Sequence, residues 1–200
     1  MLQRTVVYSG LSVAIPNQTF FSHEALQKNA TYTIDELIYR SIVYSDNVAS
    51  QVLYEYLGQA FPNGLLSQTY RDLGILEMKS DITLAAVNTK GYGSIFRMLY
   101  NASFLDTEMS EKLLSLLVQS DFQDGIRQGV PGDIAVADKF GERYLDNGEK
   151  QLHSCGIIYY PGNPYQLCVM TEGTDFEELK IIIGDISKAV YQEVDSRRIR

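Results

Sequence analysis

Two groups of polar residues could bind or change a substrate. The run Ser45-Asp46-Asn47 interrupts an otherwise helical pattern, and Lys139 lies much later, in a stretch whose alternation is typical of a strand. The neighbours of this lysine on its own strand face are alanines rather than charged residues, as expected where a strand borders a cleft. A hydroxyl, an amide and an ammonium group could together recognise a peptide or a carboxylate in such a cleft.

The same residues also have ordinary structural explanations. Ser, Asp and Asn are common N-cap residues, and the helical pattern that follows Asn47 needs a cap. A lysine on a strand is usually a solvated side chain. In this second interpretation the residues are a cap, a joint between helices and a surface lysine, and the polar residues alone leave both interpretations open.

The elements that position the first group are two helices. Thr33-Ile34-Asp35-Glu36 is a capping box, which predicts a helix that begins just after Thr33. Ala49, Val52 and Leu53 then mark the buried face of a second helix. Ser45 to Asn47 are therefore expected to form a tight joint between two packed helices, with Asp46 bracing it.

Further helices are predicted over 63–72, from Asn88 to about Tyr100, and from Thr107 onward. Three antiparallel strands follow, the first containing Lys139 and the others covering 152–160 and 165–171. A last helix closes the chain. Its apolar positions are expected to pack on the sheet, and they are Phe176, Leu179, Ile182, Ile183, Ile186 and Val190.

The runs Ser45-Asp46-Asn47 and Lys139-Phe140-Gly141, in this order, resemble the Ser-Asp-Asn and Lys-Thr/Ser-Gly elements of penicillin-recognising serine hydrolases. These are the class A β-lactamases and penicillin-binding proteins. The resemblance implies an α+β, β-lactamase/transpeptidase-like fold of the α/β/α sandwich type. The whole chain is then a single domain with three parts. They are an irregular segment (1–32), a mainly helical subdomain (33–128), and antiparallel strands with a C-terminal helix (129–200).

The resemblance also implies acyl transfer from a β-lactam or a D-Ala-D-Ala-like amide. Ser45 would carry a proton to the leaving nitrogen, and Asn47 would bind substrate and orient the catalytic lysine of the family. Lys139 would hold the serine hydroxyl and attract the substrate carboxylate. Gly141 would let substrate approach the strand edge, and the backbone N–H of Glu142 would be one oxyanion donor. We therefore expect Ser45 Oγ and Lys139 Nζ to lie within hydrogen-bond or one-water reach.

The sequence departs from the family in three ways. Phe140 is expected at the substrate together with Gly141 and Glu142. It replaces the Thr or Ser of Lys-Thr/Ser-Gly, so one contact to the substrate carboxylate is lost. Residues 59–87 contain no Glu-x-x-Leu-Asn run of the kind that supplies a deacylating water, and Glu77 is the single glutamate there. No serine is followed three positions later by lysine, so the Ser-x-x-Lys nucleophile and base are missing.

Two explanations of the missing nucleophile compete. Either the sequence begins downstream of Ser-x-x-Lys in a longer hydrolase, or a natural protein uses the cleft to bind peptides or cell-wall material without chemistry. We favour the first, in which the first two strands and the nucleophile helix are missing. In both cases the chain alone is expected not to form an acyl-enzyme.

Composition excludes several other functions. The net charge of −8 argues against a general nucleic-acid or anionic-membrane surface. No apolar run is long enough for a membrane span, and the resemblance implies that the parent protein is extracytoplasmic or in the cell envelope. His23 and His153 have no Cys or carboxylate at ligand spacing, so neither a metal nor another cofactor is expected.

The two cysteines lie on paired strands. A four-residue turn from Tyr160 to Asn163 would place Cys155 opposite Cys168, at a close pair of an antiparallel ladder. This allows a disulfide, but we favour two buried thiols that pack as small hydrophobic side chains.

The other side of the last strand has no predicted partner in this sequence. Residues 166–170 carry no charge and no proline, so this edge invites pairing. We expect Thr5 to Ile15 either to add to it or to leave it open, and in the open case the chain should self-associate or be only marginally stable.

Overall fold

The computed structural model describes residues 1–21, 23–62, 64–73 and 88–198. Its contacts divide the chain into two compact units, Met1–Asn88 and Thr89–Arg200. Glu77 and the predicted helix start at residue 63 lie outside the described residues.

The first unit contains two short strands and three helices. Strand β1 (Thr5–Val7) pairs antiparallel with β2 (Thr31–Thr33), and helices α1 (Ile34–Val43), α2 (Asn47–Ala60) and α3 (Leu65–Asp72) follow. The predicted capping box is confirmed: Thr33 accepts a hydrogen bond from the Glu36 N–H, and the Glu36 carboxylate accepts one from the Thr33 N–H. The core of this unit is formed by Leu26, Leu37, Ala49 and Val52.

The second unit begins with helices α4 (Thr89–Tyr100) and α5 (Thr107–Val118) and a 3-10 helix (Gly125–Gly129). A three-stranded antiparallel sheet follows, with the order β3 (Val136–Tyr144), β4 (Lys150–Ile158) and β5 (Tyr165–Gly173). Helix α6 (Phe176–Arg198) ends the unit.

Helices cover both faces of this sheet. The α4 face includes Lys139 on β3 and Cys168 on β5, because a Cβ added to Gly93 of α4 would meet the Cys168 side chain. The α6 face includes Tyr144 on β3, whose ring meets Phe176 of α6 edge to face. Successive side chains of a strand point to opposite faces, so the odd residues of β3 lie on the α4 face and the even ones on the α6 face.

The two cysteines form a disulfide, which corrects our expectation of two thiols. The register is the one predicted, with Cys155 opposite Cys168 and Cα atoms 4.0 Å apart. The turn was also predicted correctly, since the Asn163 N–H donates to the Tyr160 carbonyl. Burial alone cannot distinguish a packed thiol pair from a bond, because both place small sulfur-containing side chains in contact.

Helix α6 corrects a second expectation. Phe176, Leu179 and Ile183 are buried as predicted, but Ile182 and Ile186 are 46% and 40% exposed. These two isoleucines lie to one side of the buried stripe, where the described residues do not cover the helix. Helical periodicity finds the apolar face correctly, but it cannot show how much of that face a neighbour covers.

Within the described residues, β5 pairs with β4 alone, so its other edge is open. Thr5–Val7 does not add to this edge, because it pairs with Thr31–Thr33 in a separate two-stranded sheet. Of the two outcomes expected for this edge, the open one is found in the part of the chain that the structure describes. Among the described helices, none has both the length and the apolar composition needed to cross a membrane.

Candidate functional site

The joint between α1 and α2 is capped by Asp46. Its carboxylate accepts hydrogen bonds from the N–H groups of Val48 (2.9 Å) and Ala49 (3.1 Å), which satisfies two donors at the start of α2. Asp46 is 1% exposed. Because Asp46 supplies the cap, capping explains neither the Ser45 nor the Asn47 side chain, both of which are partly exposed.

Arg40 completes the support of Asp46. Its Nε lies 2.8 Å from Asp46 Oδ2, while the Arg40 carbonyl accepts the Asp46 N–H at 3.1 Å. The arginine also donates to the Glu24 carbonyl. Asp46 is thus a structural brace, as the sequence predicted, with its charge balanced by an arginine of the preceding helix.

Gln18 holds the joint from the other side. Its side-chain N–H donates to the Ser45 carbonyl at 2.7 Å, and its oxygen accepts the Asn47 N–H at 3.2 Å. Between these two bonds Ser45 has φ 55°, in the left-handed region that favours glycine. Sequence reasoning missed Gln18, because no spacing rule connects a loop glutamine with a joint so far along the chain.

Lys139 lies on the α4 face of β3. Its Nζ donates to the Phe140 carbonyl at 3.1 Å and lies 4.5 Å from the centre of the Phe140 ring. Burial lowers the pKa of Lys139 to about 8, although the Asp138 and Glu142 carboxylates act to raise it. This ammonium therefore releases its proton far more readily than a solvated lysine.

Tyr92 of α4 fixes the backbone at this point. Its hydroxyl donates to the Lys139 carbonyl at 2.8 Å. Burial raises the pKa of Tyr92, so the hydroxyl stays protonated and remains a donor.

The register of the sheet shows which way the backbone groups of β3 point. The short Cα distance between Cys155 and Cys168 identifies a non-hydrogen-bonded pair, so Cys155 directs its backbone groups toward Lys139 on β3. Backbone groups of successive residues point to opposite edges of a strand. The N–H and C=O groups of Phe140 and Glu142 therefore point to the edge of β3 that does not face β4. The Glu142 N–H thus points away from β4.

The side chain of Phe140 does not reach that edge. It is 4% exposed and stacks on Phe122 with ring centroids 4.0 Å apart. Phe140 can therefore meet a ligand through its backbone, and its ring belongs to the core. Gly141 differs, because a Cβ added there would find no atom of the described residues within 4 Å. The strand thus has open space beside Lys139 where substrate was expected to approach.

A buried ion pair beside Lys139 was missed. Arg127 Nε lies 2.6 Å from Asp138 Oδ1, and the arginine also donates to the carbonyls of Leu117, Val118 and Val136. Asp138 is fully buried. Burial raises its pKa to about 6, although Arg127 acts to lower it. The signal in the sequence was an aspartate on the same strand face as Val136 and Phe140, since a charge there requires a partner.

The structure brings together Lys139, Phe140, Gly141 and Glu142 on one strand of the second unit. Ser45 and Asn47 lie together in the first unit. The expected reach between Ser45 Oγ and Lys139 Nζ stays a prediction. Among the described residues, no group of three His, Cys, Asp or Glu side chains could hold a metal ion.

Comparison with known proteins gives a consistent picture. A sequence model described as the Beta-lactamase enzyme family matches residues 17–194. No curated protein matches the sequence.

Several solved structures are similar. One is a mutant of PBP-A in an acyl-enzyme complex with penicillin G, at a TM-score of 0.75 and 17% identity, covering 98% of this chain and 73% of that one. Another is a class A β-lactamase from Bacteroides cellulosilyticus, at a TM-score of 0.71 and 21% identity, covering 84% of this chain and 66% of that one. At such identities the likeness shows the fold, and it confirms the predicted β-lactamase/transpeptidase-like α+β arrangement.

Proposed function

Because the chain belongs to the Beta-lactamase enzyme family, we propose that Ser45, Asn47 and Lys139 serve one acyl-transfer site for β-lactams or D-Ala-D-Ala-like amides. Lys139 attracts the substrate carboxylate, Asn47 binds the substrate amide, and Ser45 passes a proton to the leaving nitrogen. The similar structures include an acyl-enzyme of PBP-A with penicillin G, which supports the same substrate class for this chain.

One observation carries the proposal more than any other, and it is the backbone of Ser45. A non-glycine residue in the left-handed region costs about 1–2 kcal/mol, and here glycine would avoid that cost. The cap of α2 is supplied by Asp46, so Ser45 is not retained for capping. Residues in this region are enriched at functional sites, and the group that a serine would contribute to such a site is its hydroxyl.

The chemistry assigns each group a step. As the C–N bond of the amide breaks, the leaving nitrogen takes the proton of Ser45 Oγ, and a neighbouring base returns a proton to that oxygen. The ammonium of Lys139 favours the transient negative charge on Oγ and holds the substrate carboxylate. The Glu142 N–H, which points away from β4, is a donor for the oxyanion. The attacking nucleophile is not among these residues, since the sequence contains no Ser-x-x-Lys.

The first test is reversible binding of penicillin G, measured by isothermal titration calorimetry. Changing Lys139→Met is expected to weaken binding about tenfold or more, because a charge-assisted contact to the ligand carboxylate is lost. The wild-type affinity should fall as the pH rises above about 8 and the Lys139 ammonium loses its proton, and it should level off near the affinity of Lys139→Met. The affinity of Lys139→Met should not change over that range.

Lys150→Met is the matched control. Lys150 is on the same sheet, but its Nζ lies over the Phe176 ring on the α6 face, so its loss should leave binding unchanged. Ser45→Gly removes the hydroxyl and relieves the left-handed backbone, so it should preserve stability. Equal effects of the two lysine changes, or binding that is constant from pH 7 to 10, would refute the role of Lys139.

A second candidate function is a non-catalytic module that binds cell-wall peptides through the same residues. The observation that favours it is again the absence of Ser-x-x-Lys from the sequence. Both candidates share Lys139, so peptide binding alone cannot separate them.

Covalent labelling tests whether this chain forms an acyl-enzyme by itself. A fluorescent penicillin is expected not to label the 200-residue chain, as judged by fluorescence after denaturing electrophoresis. A β-lactamase with an intact Ser-x-x-Lys, labelled in parallel, is the positive control. Stoichiometric labelling of the 200-residue chain would contradict our account of where the nucleophile is.

A further inference from the structure

Gln18 is not one of the groups that the proposed chemistry uses, yet it binds the backbone of both residues of the joint that do. We propose that Gln18 is a positioning residue, which holds Ser45 in its left-handed backbone conformation and thereby orients the Ser45 hydroxyl and the Asn47 amide for a substrate. This role rests on the proposed function of Ser45 and Asn47, and it adds how the fold keeps their side chains in place.

The amide of Gln18 bridges the two sides of Asp46. Its Nε2 donates to the Ser45 carbonyl at 2.7 Å, and its Oε1 accepts the Asn47 N–H at 3.2 Å. A primary amide carries its donor and its acceptor on one planar group, so both bonds form well only at one relative orientation of that carbonyl and that N–H. The side chain therefore fixes the backbone before and after Asp46.

The backbone of Ser45 needs such a restraint. Its φ of 55° brings the Cβ of an L-residue close to the following carbonyl oxygen. Glycine avoids this contact, and asparagine and aspartate adopt the conformation more often than other side chains do. A serine returns to negative φ unless its surroundings hold it.

The other hydrogen bonds described for the joint hold Asp46. Its N–H donates to the Arg40 carbonyl, its carboxylate binds the Arg40 side chain, and the same carboxylate caps α2. These bonds fix the residue after Ser45. Among these contacts, the bond from Gln18 is the one that reaches Ser45 itself.

The chain just after Gln18 contacts the same joint again. The His23 ring stacks on the Tyr44 ring, with centroids 3.6 Å apart, and Arg40 donates to the Glu24 carbonyl. The Gln18 amide is thus presented to the joint from a packed segment, so little additional backbone freedom is lost when its two bonds form.

The position of the Ser45 hydroxyl depends on the angle that Gln18 holds. Rotation of φ from the left-handed region to negative values turns the Cα–Cβ bond about the N–Cα axis, and Oγ moves with it. Displacement of a reacting group by about 1 Å can lower a rate about a hundredfold. The bond from Gln18 to the Asn47 N–H restrains the direction of the second side chain in the same way.

An unfolding cycle in urea, followed by circular dichroism, tests whether Gln18 sets the Ser45 backbone. Ser45→Gly relieves the left-handed conformation but raises the entropy of the unfolded chain. In the wild type the two effects oppose each other, so the urea midpoint should stay unchanged or rise. In the Gln18→Ala variant Ser45 has already left the left-handed region, so Ser45→Gly brings only the entropic loss and should lower the midpoint.

Reversible binding of penicillin G, measured by isothermal titration calorimetry, tests the consequence for the site. Gln18→Ala should weaken binding about tenfold, because the share of molecules with Ser45 and Asn47 correctly oriented falls to about a tenth. Its circular dichroism spectrum at the assay temperature should match that of the wild type.

Two further variants sharpen both tests. Gln18→Glu keeps the size of the side chain and an acceptor for the Asn47 N–H, but it loses the donor to the Ser45 carbonyl, so it should behave as Gln18→Ala does. Gln68→Ala is the matched control, because the amide of this exposed glutamine donates to Asp72 of its own helix. It should alter neither the effect of Ser45→Gly nor the affinity.

Two outcomes would overturn the proposal. One is an equal shift of the midpoint by Ser45→Gly with and without Gln18, because the two residues are then independent. The other is a Gln18→Ala variant that binds penicillin G as tightly as the wild type does. A wild type that does not bind penicillin G would refute the proposed function instead, and the unfolding cycle would still decide whether Gln18 sets the backbone.

Discussion

Replacing Arg127 by methionine is expected to lower the free energy of unfolding by about 3–5 kcal/mol, because it leaves the Asp138 carboxylate buried without its ionic partner. Arg127 also donates to the carbonyls of Leu117 and Val118, which would lose a donor. Urea denaturation followed by circular dichroism at pH 7.5 measures this loss.

The loss should depend on pH with a definite sign. Burial already raises the pKa of Asp138 to about 6, and removal of Arg127 should raise it further. A carboxyl with a raised pKa in the folded state favours folding while it is protonated, and this advantage disappears as the pH rises through the folded-state pKa. The destabilisation by Arg127→Met should therefore be smaller at pH 5 than at pH 7.5.

A second arginine pair supplies the control. Arg197 Nε lies 2.7 Å from Glu193, about as close as in the buried pair, but both side chains are mostly exposed. Arg197→Met should change stability by less than about 1 kcal/mol. If the two substitutions cost the same, burial of the Arg127–Asp138 pair is not what makes it important.

Gly156→Ala is expected to destabilise the chain by about 3 kcal/mol or more. An added Cβ would lie 2.5 Å from Asp138 Cβ and 2.6 Å from the Ala137 carbonyl oxygen, and neither atom can move without distorting β3. Gly156 is opposite Asp138 in the register, so the distortion would reach the strand that carries Lys139. Thermal and urea unfolding would both show the loss.

Gly141→Ala is the natural comparison, since a Cβ there meets no atom of the part of the chain that the structure describes within 4 Å. We expect its unfolding free energy to stay within about 0.5 kcal/mol of the wild type, apart from the small difference in backbone entropy. Penicillin G binding should weaken all the same, because the added methyl group occupies the space beside Lys139. A fully stable Gly156→Ala variant would contradict the close approach of β3 and β4.

Much of the fold could be predicted because local rules determine it. The capping box at Thr33 depends on residues three apart, and the position of Cys155 opposite Cys168 follows from counting outward from one turn. Asp46 was predicted to brace the joint on residue type alone, and its two N–H bonds and its arginine confirm this.

The errors in packing share a different cause, which is contact between distant segments. Ile182 and Ile186 have the right periodicity for burial, but the packing of neighbouring elements decides whether they are covered. The Arg127–Asp138 pair joins a 3-10 helix with a strand, and Gln18 reaches a joint far along the chain. Periodicity reports which face is apolar, and it carries no information about such partners.

The disulfide has a mechanical consequence for the hairpin of β4 and β5. Cys155 and Cys168 are separated by 13 positions, and this closed loop contains the turn at Tyr160–Asn163. When the chain is pulled from its two ends, force passes from one cysteine to the other through the sulfur atoms. The loop therefore carries no tension, and it withholds roughly 45 Å of contour length from the extended chain for as long as the bond is intact.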